Sequence, residues 1–553
     1  MRPFSLAQRS SEIADATSGE LDVLVVGMGA TGAGVALDAA SRGMSVAVAD
    51  KGDLAAGTSS KSSKLVHGGL RYLESYEFGL VREGVLERQL LMRLAPHLVR
   101  PMDFVYPVWP ETARRRLLGL GLTTYDVFAG FRNVRRHERI DAAAAIALAP
   151  ALARSELAYA YVYGDCGTDD ARLVLAVVQA ARSFGALALP YTEVVGLHLS
   201  GGKVDGAQVR DHLTGEQYPL RARHVVNATG VWVDTLMGQA NPRHRNAVQP
   251  SKGVHVVVPH ERLPLTGASV LLPSKQGDGR SMFAIPWGRQ TILGTTDTAY
   301  PGPLDAVALD ETDLSYVLAA GNDVFAAALT EDDVLGAWAG VRPLLRGDGA
   351  TMSDLSRRHA LIDDPLSGLV TITGGKLTTY RRMAAEVVDL LVGRDGRRAG
   401  CRTEQIPLGG SGRAFDEVFA DVLAGCGSVG LDAETAELLT GQLGEQAADV
   451  LSLVAGDPRL GSVLSPAAAH IAAEVVHAAR HEGAATLDDV FSRRMRLSLR
   501  AQNAGLPSAP LAAGLLATEL GRDAAWAKAQ VLAYAAAVRV ERGVLGSMLA
   551  VPA

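Results

Sequence analysis

The sequence is poor in cysteine, in aromatic side chains and in long apolar runs. Its 553 residues include 3 cysteines, Cys166, Cys401 and Cys426. They are odd in number, far apart and without metal-type pairing. That excludes a disulfide scaffold and a zinc module, implies no bound metal, and fits a reducing compartment. Aromatics make up only 5%, so Ala, Leu and Val must fill the core. An excess of positive charge is also missing: 54 Lys plus Arg stand against 60 Asp plus Glu, a formal net charge of −6. No broad basic field is therefore present to favour nucleic acid. Mean hydropathy is slightly positive at +0.12, yet the longest charge-free run, Ala501–Thr518, contains Gln502, Asn503, Pro507 and Pro510. It is a poor match to the ~20 apolar residues of a spanning helix. The first twenty residues are polar and mixed in charge, without the apolar centre of a signal peptide. A soluble or membrane-surface protein is expected, with a length of roughly three to four domains at about 150 residues each.

Glycine, in contrast, is abundant: 59 of 553 residues, about 11% against a usual ~7%. Its first cluster falls in a readable unit. Leu21–Val26 is a short apolar run suited to a buried parallel strand. After it come a Gly-rich turn, an amphipathic stretch Ala33–Ser41, a stop at Arg42-Gly43 and a second strand Ser45–Ala49, together a β-turn-α-β unit. The turn reads Gly27-Met28-Gly29-Ala30-Thr31-Gly32. In such a GxGxxG turn Gly27 serves the tight bend, Gly29 the close approach of a pyrophosphate and Gly32 helix–strand packing. The helix N-terminus then offers free N–H groups to the anion. Asp50 follows 18 residues past Gly32, where a carboxylate meets a ribose hydroxyl. The turn alone does not separate NAD from FAD. Next comes a hydroxyl- and Gly-rich loop, Gly57–Tyr72, with Thr58, Ser59, Ser62, Ser63, Lys64, His67, Gly68 and Gly69. Its short donors and bare backbone suit wrapping of a dinucleotide.

Farther on, strands are expected at Ala222–Asn227, Val254–Val258, Val270–Leu272, Ser281–Ile285 and Leu369–Thr373, with helices at Ala171–Arg182 and Glu311–Ala328. This interleaving indicates α/β layers with some antiparallel sheet. Past about residue 410 helical patterns dominate. Ser465-Pro466 reads as an N-cap with Pro at the first helical position, leading to a stripe Ile471, Val475, Ala478 that Gly483 ends. Thr486-Leu487-Asp488-Asp489 reads as a capping box opening a helix through Leu499. The expected organisation is a flexible lead over 1–20, interleaved cofactor and substrate domains over 21–410, and a helical domain over 411–553.

Two stretches carry a resemblance. Ser62–Glu74 (SSKLVHGGLRYLE) and Thr373–Arg381 (TGGKLTTYR) resemble the signature segments of FAD-dependent glycerol-3-phosphate dehydrogenases. These are membrane-associated respiratory enzymes of the amino-acid-oxidase-like flavoprotein group. Asp169–Leu173, Asn227–Gly230, Lys252–His255, Gly294–Asp297, Gly340–Pro343 and Ser356–His359 match further segments in the family's order. The resemblance implies a Rossmann-type FAD-binding domain, an inserted mixed or antiparallel substrate domain and a C-terminal α-helical domain. It implies non-covalent FAD, oxidation of sn-glycerol 3-phosphate to dihydroxyacetone phosphate, and electron transfer to a membrane quinone. An oxygen-using glycerol-phosphate or amino-acid oxidase of the same fold is the alternative. A third reading is a flavin-binding interaction protein.

Roles follow from the resemblance position by position. Ala228 and Gly230 let the chain pass close to FAD. Gly375, Lys376, Leu377 and Thr378 open a helix whose N-terminus faces the flavin. Arg71, Arg357 and Lys376 grip the phosphate and polyol, with Tyr72 adding a hydroxyl. Arg342 stabilises charge at the reacting carbon, and Thr296 and Asp297 orient the substrate or a nearby loop. His255 is the candidate base, since imidazole titrates near neutral pH. His67 is a second candidate base, assigned first to packing on the flavin, and Cys166 is assigned to the core. One segment suits either an anionic lipid surface or a solvated face over a minor core cluster, and the resemblance favours the lipid surface: Arg114–Arg116, then Leu117, Leu118, Leu120, Leu122, Phe128 and Phe131, then Arg132, Arg135, Arg136 and Arg139. The expected location is cytoplasmic, on the inner face of the cell membrane, and a homodimer is compatible with the resemblance.

Overall fold

A computed structural model describes residues 4–70, 77–110, 115–130, 133–152, 157–273, 281–325, 327–346 and 358–549, with only the backbone at 115–117, 273 and 548. Two sheets organise it. In the first, parallel strands run in the order Val370–Gly374, Gln217–Asn227, Glu20–Val26, Val46–Ala49 and Leu187–Leu189. The antiparallel His359–Asp363 forms one edge, and the hairpin Thr192–Ser200 and Lys203–Asp211 extends from Gln217–Asn227. Val23, Leu24 and Val25 are fully buried, as expected of a strand covered on both faces. The helices Ala30–Ser41, Asp170–Ser183 and Tyr380–Arg394 share the core on one face of this sheet. All the expected strands form, most of them longer than the sequence pattern suggests.

The second sheet is mixed and mostly antiparallel. Val248–Pro259 pairs along its length with Gly336–Leu345 and on its other side with Gln290–Gly294. Ser281–Trp287, Ala268–Pro273, Arg100–Val108 and Tyr159–Gly167 continue outward. Its last strand, Leu65-Val66, belongs to the hydroxyl-rich loop, so the loop bridges the two sheets. The helix from Glu311 ends at Val324, short of the expected Ala328, where Phe325 turns extended.

The amino-terminal lead is not a loose tail over its described part. Arg9–Thr17 is a helix. Arg9 forks onto Asp211 at 3.0 and 3.2 Å, Glu12 pairs with Arg182 at 2.6 Å, and Phe4 is 4% exposed. Its charges look solvated in sequence because their partners lie about two hundred residues away.

Beyond residue 410 helices predominate, from Phe415–Ser428 to Ala524–Arg542. Ser465-Pro466 does not cap a helix. Ser465 Oγ accepts from the Ala467 N–H at 3.2 Å and turns a hairpin between Val463–Ser465 and Ala468–Ile471, and the helix starts only at Ala473. The Thr486/Asp489 capping box forms: Asp489 accepts from the Thr486 N–H at 2.9 Å, and Thr486 Oγ1 from the Asp489 N–H at 3.2 Å. The helix it opens does not reach Leu499 unbroken, because Arg496 takes a left-handed conformation, φ +62°.

Candidate active site

A cavity of about 2110 Å³ runs between the two sheets, more than twice the volume of a usual small-molecule pocket. One end is made of bare backbone. Gly27 has φ +101°, and a Cβ there would lie 2.6 Å from the Ala228 carbonyl oxygen. At Gly32 a Cβ would lie 1.9 Å from the Gly27 oxygen, and at Gly29 one would meet Ser59 Oγ at 2.9 Å. Ser59 Oγ accepts from the Ala30 N–H at 3.0 Å at the helix start. Asp50 accepts from the Met28 N–H at 2.7 Å and the Gly52 N–H at 3.0 Å. Burial pushes its carboxyl up to about 6, although these two bonds act to lower it. Gly27, Gly29, Asp50, Thr58, Ser59, Ala228 and Gly230 line the cavity, and Gly32 shapes it from behind. Thr58 donates to the Val341 carbonyl at 2.6 Å, tying loop to second sheet.

The other end is made of side chains. His255 is 1% exposed and stacks on Trp338, with centroids 4.7 Å apart and planes 9° apart. Its Nε2 is 2.8 Å from Ser63 Oγ. Burial, then the nearby Arg342 and Lys64 cations, hold the imidazole well below its ordinary value, so it is neutral and available to accept a proton. Arg342 donates to Thr295 Oγ1 at 2.7 Å and to the Thr296 carbonyl at 3.2 Å. Its guanidinium lies against Gly253, where a Cβ would be 2.3 Å from Nη2. Gly375, Lys376, Leu377 and Thr378 complete this end, Gly375 with φ +74° and its missing Cβ space filled by Met383 Sδ at 2.4 Å. The Thr378 hydroxyl is 3.2 Å from both the N–H and the carbonyl of His67.

Several expected site residues sit differently. Thr296 and Asp297 are 1% and 6% exposed and stand behind Arg342. Thr296 Oγ1 accepts from the Val254 N–H at 3.0 Å, Asp297 accepts from Ser251 Oγ, and Thr295 takes the place on the cavity wall. They hold the arginine and do not reach toward a substrate. Lys64 is 2% exposed and turned away from the cavity, bonded to Asp170 at 2.9 Å and the Ser60 carbonyl at 3.3 Å. Ser62 donates to the same Asp170 at 2.7 Å, while Ser62, Ser63, His67 and Gly69 line the cavity. Gly68 is packed against Tyr125, whose hydroxyl accepts its N–H at 2.9 Å. Arg71, Tyr72 and Arg357 lie outside the described residues. Burial pushes the Cys166 thiol up to about 12, which fits a core role.

The basic-apolar segment is partly used by the protein itself. Arg135 pairs with Asp103 and with Glu138 at 3.1 Å, Arg139 lies 4.0 Å over the Tyr159 ring, and Leu122 is fully buried. Solvent meets Leu120 (64%) and Val127 (50%) on the helix Arg115–Phe128, beside Phe78 at 44%. Phe78, Leu118 and Leu120 also line the cavity mouth. Arg114, Phe131 and Arg132 lie outside the described residues. Among the described residues no helix is long and apolar enough to cross a membrane, and no metal-type cluster of His, Cys, Asp and Glu occurs.

Sequence reasoning missed Trp338, Tyr125 and Asp165. It also missed Arg493 and Arg496, which the helical domain sends to the cavity wall. The signal was present in FSRRMRLSLR, residues 491–500, where four arginines interrupt an apolar helical pattern.

Comparison with known proteins agrees with this geometry. Residues 22–381 match the family of FAD dependent oxidoreductases, and residues 401–527 match the C-terminal domain of alpha-glycerophosphate oxidase. The chain is 41% identical to glycerol-3-phosphate dehydrogenase 2 of Mycobacterium tuberculosis, over 94% of this chain and 88% of that one. It is 36% identical to the aerobic glycerol-3-phosphate dehydrogenase of Bacillus subtilis, over 89% and 90%. The crystal structure of glycerol-3-phosphate dehydrogenase from Bacillus halodurans complexed with FAD superposes with a TM-score of 0.81 at 30% identity, covering 97% of this chain and 98% of that one.

Proposed function

The chain belongs to the FAD-dependent glycerol-3-phosphate dehydrogenases, and on that premise we propose that it oxidises sn-glycerol 3-phosphate to dihydroxyacetone phosphate and passes the electrons to a membrane quinone. The observation that carries this reading is the meeting, on one cavity, of a glycine-made dinucleotide cradle with His255, Arg342 and Lys376. Gly27, Gly29 and Asp50 would hold the pyrophosphate and ribose of FAD, and the loop from Thr58 to Gly69 would line the rest of the dinucleotide. FAD, when bound, supplies the two-electron acceptor for the hydride from C2.

The chain's own residues do the rest. Lys376, with Arg71, Tyr72 and Arg357 by resemblance, holds the phosphate dianion. Arg342, held by Thr295 at the cavity wall and by Thr296 and Asp297 behind it, steadies negative charge on the C2 oxygen. Neutral His255 takes the hydroxyl proton, with Ser63 fixing its Nε2 edge.

The helix Arg115–Phe128 supports contact with the inner face of the membrane, its exposed Leu120 and Val127 dipping in and its flanking arginines meeting anionic lipid. Unchanged vesicle binding after neutralising Arg114–Arg116 would remove the segment from the account. A homodimer is compatible with this reading, and light scattering decides it. Turnover of sn-glycerol 3-phosphate with a short-chain quinone, scored for dihydroxyacetone phosphate, tests the whole proposal. Peroxide in place of quinone reduction would instead make the protein an oxidase.

A further inference from the structure

The helical domain reaches the cavity through its last long helix and through a short segment that carries Arg496. Arg496 is 1% exposed, and its left-handed backbone is uncommon outside glycine, asparagine and aspartate. Its guanidinium forks onto Asp169 at 2.8 and 3.2 Å, bonds Asp170, and reaches the Ser60 carbonyl at 3.4 Å. Asp170 in turn holds Lys64 and both the hydroxyl and the N–H of Ser62. Lys64 Nζ lies 4.8 Å from the centre of the Trp338 ring that stacks on His255. The same segment braces the strand beneath: Gly336 abuts Leu499, whose carbonyl oxygen would lie 2.4 Å from a Cβ there.

We propose that Arg496 is a positioning residue for the reaction: from the C-terminal domain it holds Asp169 and Asp170, through them the Ser62–Lys64 turn, and so fixes Ser63 and Lys64 against His255 and Trp338. The inference rests on His255 being the base. The charged groups facing His255 are Arg342 from the strand Gly336–Leu345 and Lys64 from the loop. The strand Gln290–Gly294 presents only Gly294. On the helix Glu311–Val324, Asp313 and its N-cap Asp310 are taken by Lys252. Behind Lys64 stand Asp169, Asp170 and Arg496. Removing Arg496 takes one cation away from Asp169 and Asp170 and leaves Lys64 and Arg500 to face them, which favours a protonated His255. Neutralising Asp169 does the reverse.

Arg496→Gly suits the left-handed backbone. Asp169→Asn keeps an acceptor for the Arg172 N–H that Asp169 caps at 3.1 Å. The test is kcat/KM against pH on FAD-saturated enzyme. The acid limb is expected to move up by roughly half a unit in Arg496→Gly and down by a similar amount in Asp169→Asn. In Arg480→Gln, which loses only the surface pair with Glu519, it stays in place. Limbs that do not move, or that move in the same direction, overturn the proposal. Should Arg496→Gly not fold, the sign in Asp169→Asn decides alone. A limb that persists in His255→Asn sinks the base reading and this inference together. A limb that vanishes with His255 but ignores Asp169 and Arg496 sinks the inference only.

Discussion

The two ends of the cavity are built by opposite means. The cradle at Gly27–Gly32 works through side chains that are missing: a single Cβ at Gly32 would sit 1.9 Å from a backbone oxygen. The end around His255 works through side chains that are present: a buried neutral imidazole beside the partly buried cations Arg342 and Lys376, with His255 and Arg342 bonded to Ser63 and Thr295, which are distant in the chain. Backbone cannot yield to an added atom, whereas a side chain can be removed and its neighbours retained. Damage to the first end should therefore abolish cofactor binding, and damage to the second should spare the cofactor and slow the chemistry.

The strongest way to break that contrast is Gly32→Val. It is expected to purify without flavin, the turn being unable to close on the helix, as read from the visible spectrum after FAD addition. Bound flavin in this variant would mean that the cradle tolerates a side chain. Next comes Arg342→Met, expected to lower kcat/KM by about 10²–10³-fold, the usual loss on removing a group that stabilises transition-state charge. Its flavin content should be unchanged. A smaller effect concerns Asp50. Its carboxyl is raised to about 6, and the ionised form is the better acceptor for a ribose hydroxyl. FAD affinity should thus be constant above pH 7 and weaken by up to tenfold per unit below about 6, a trend that titration of apoprotein can follow. Asp50→Asn should flatten it. The smallest expected effect is none. His255 is held well below the ordinary histidine value, and its neutral form is the active one. The rate should show no histidine-like fall near pH 6.5 and should drop only at lower pH.

The same contrast explains what could be read from the sequence. The βαβ unit, the GxGxxG turn, Asp50 and the strands are local patterns; most strands lie within a residue or two of expectation, and the first helix starts three residues earlier than read. Resemblance brought in His255, Arg342 and Lys376, and all three line the cavity. The errors were non-local. Arg9 looked like part of a solvated lead because Asp211 is 202 positions away. Lys64 looked like a cofactor ligand because Asp170 and Arg496, which claim it or its partner, come from two other regions. Thr296 reads as orienting the substrate or a nearby loop, and the structure places it behind Arg342, its hydroxyl accepting from the Val254 N–H. Ser465-Pro466 carried a helix-start signal that the hairpin partner strand overrode. Local signals marked where backbone must be bare, but not which charge a buried charge would meet.

The most direct measurement is made without oxygen or quinone. The FAD-loaded protein is mixed anaerobically with sn-glycerol 3-phosphate, and the flavin's visible absorption is followed. The account predicts rapid bleaching matched by one equivalent of dihydroxyacetone phosphate per flavin. A spectrum that stays oxidised while dithionite still reduces the same flavin would contradict it.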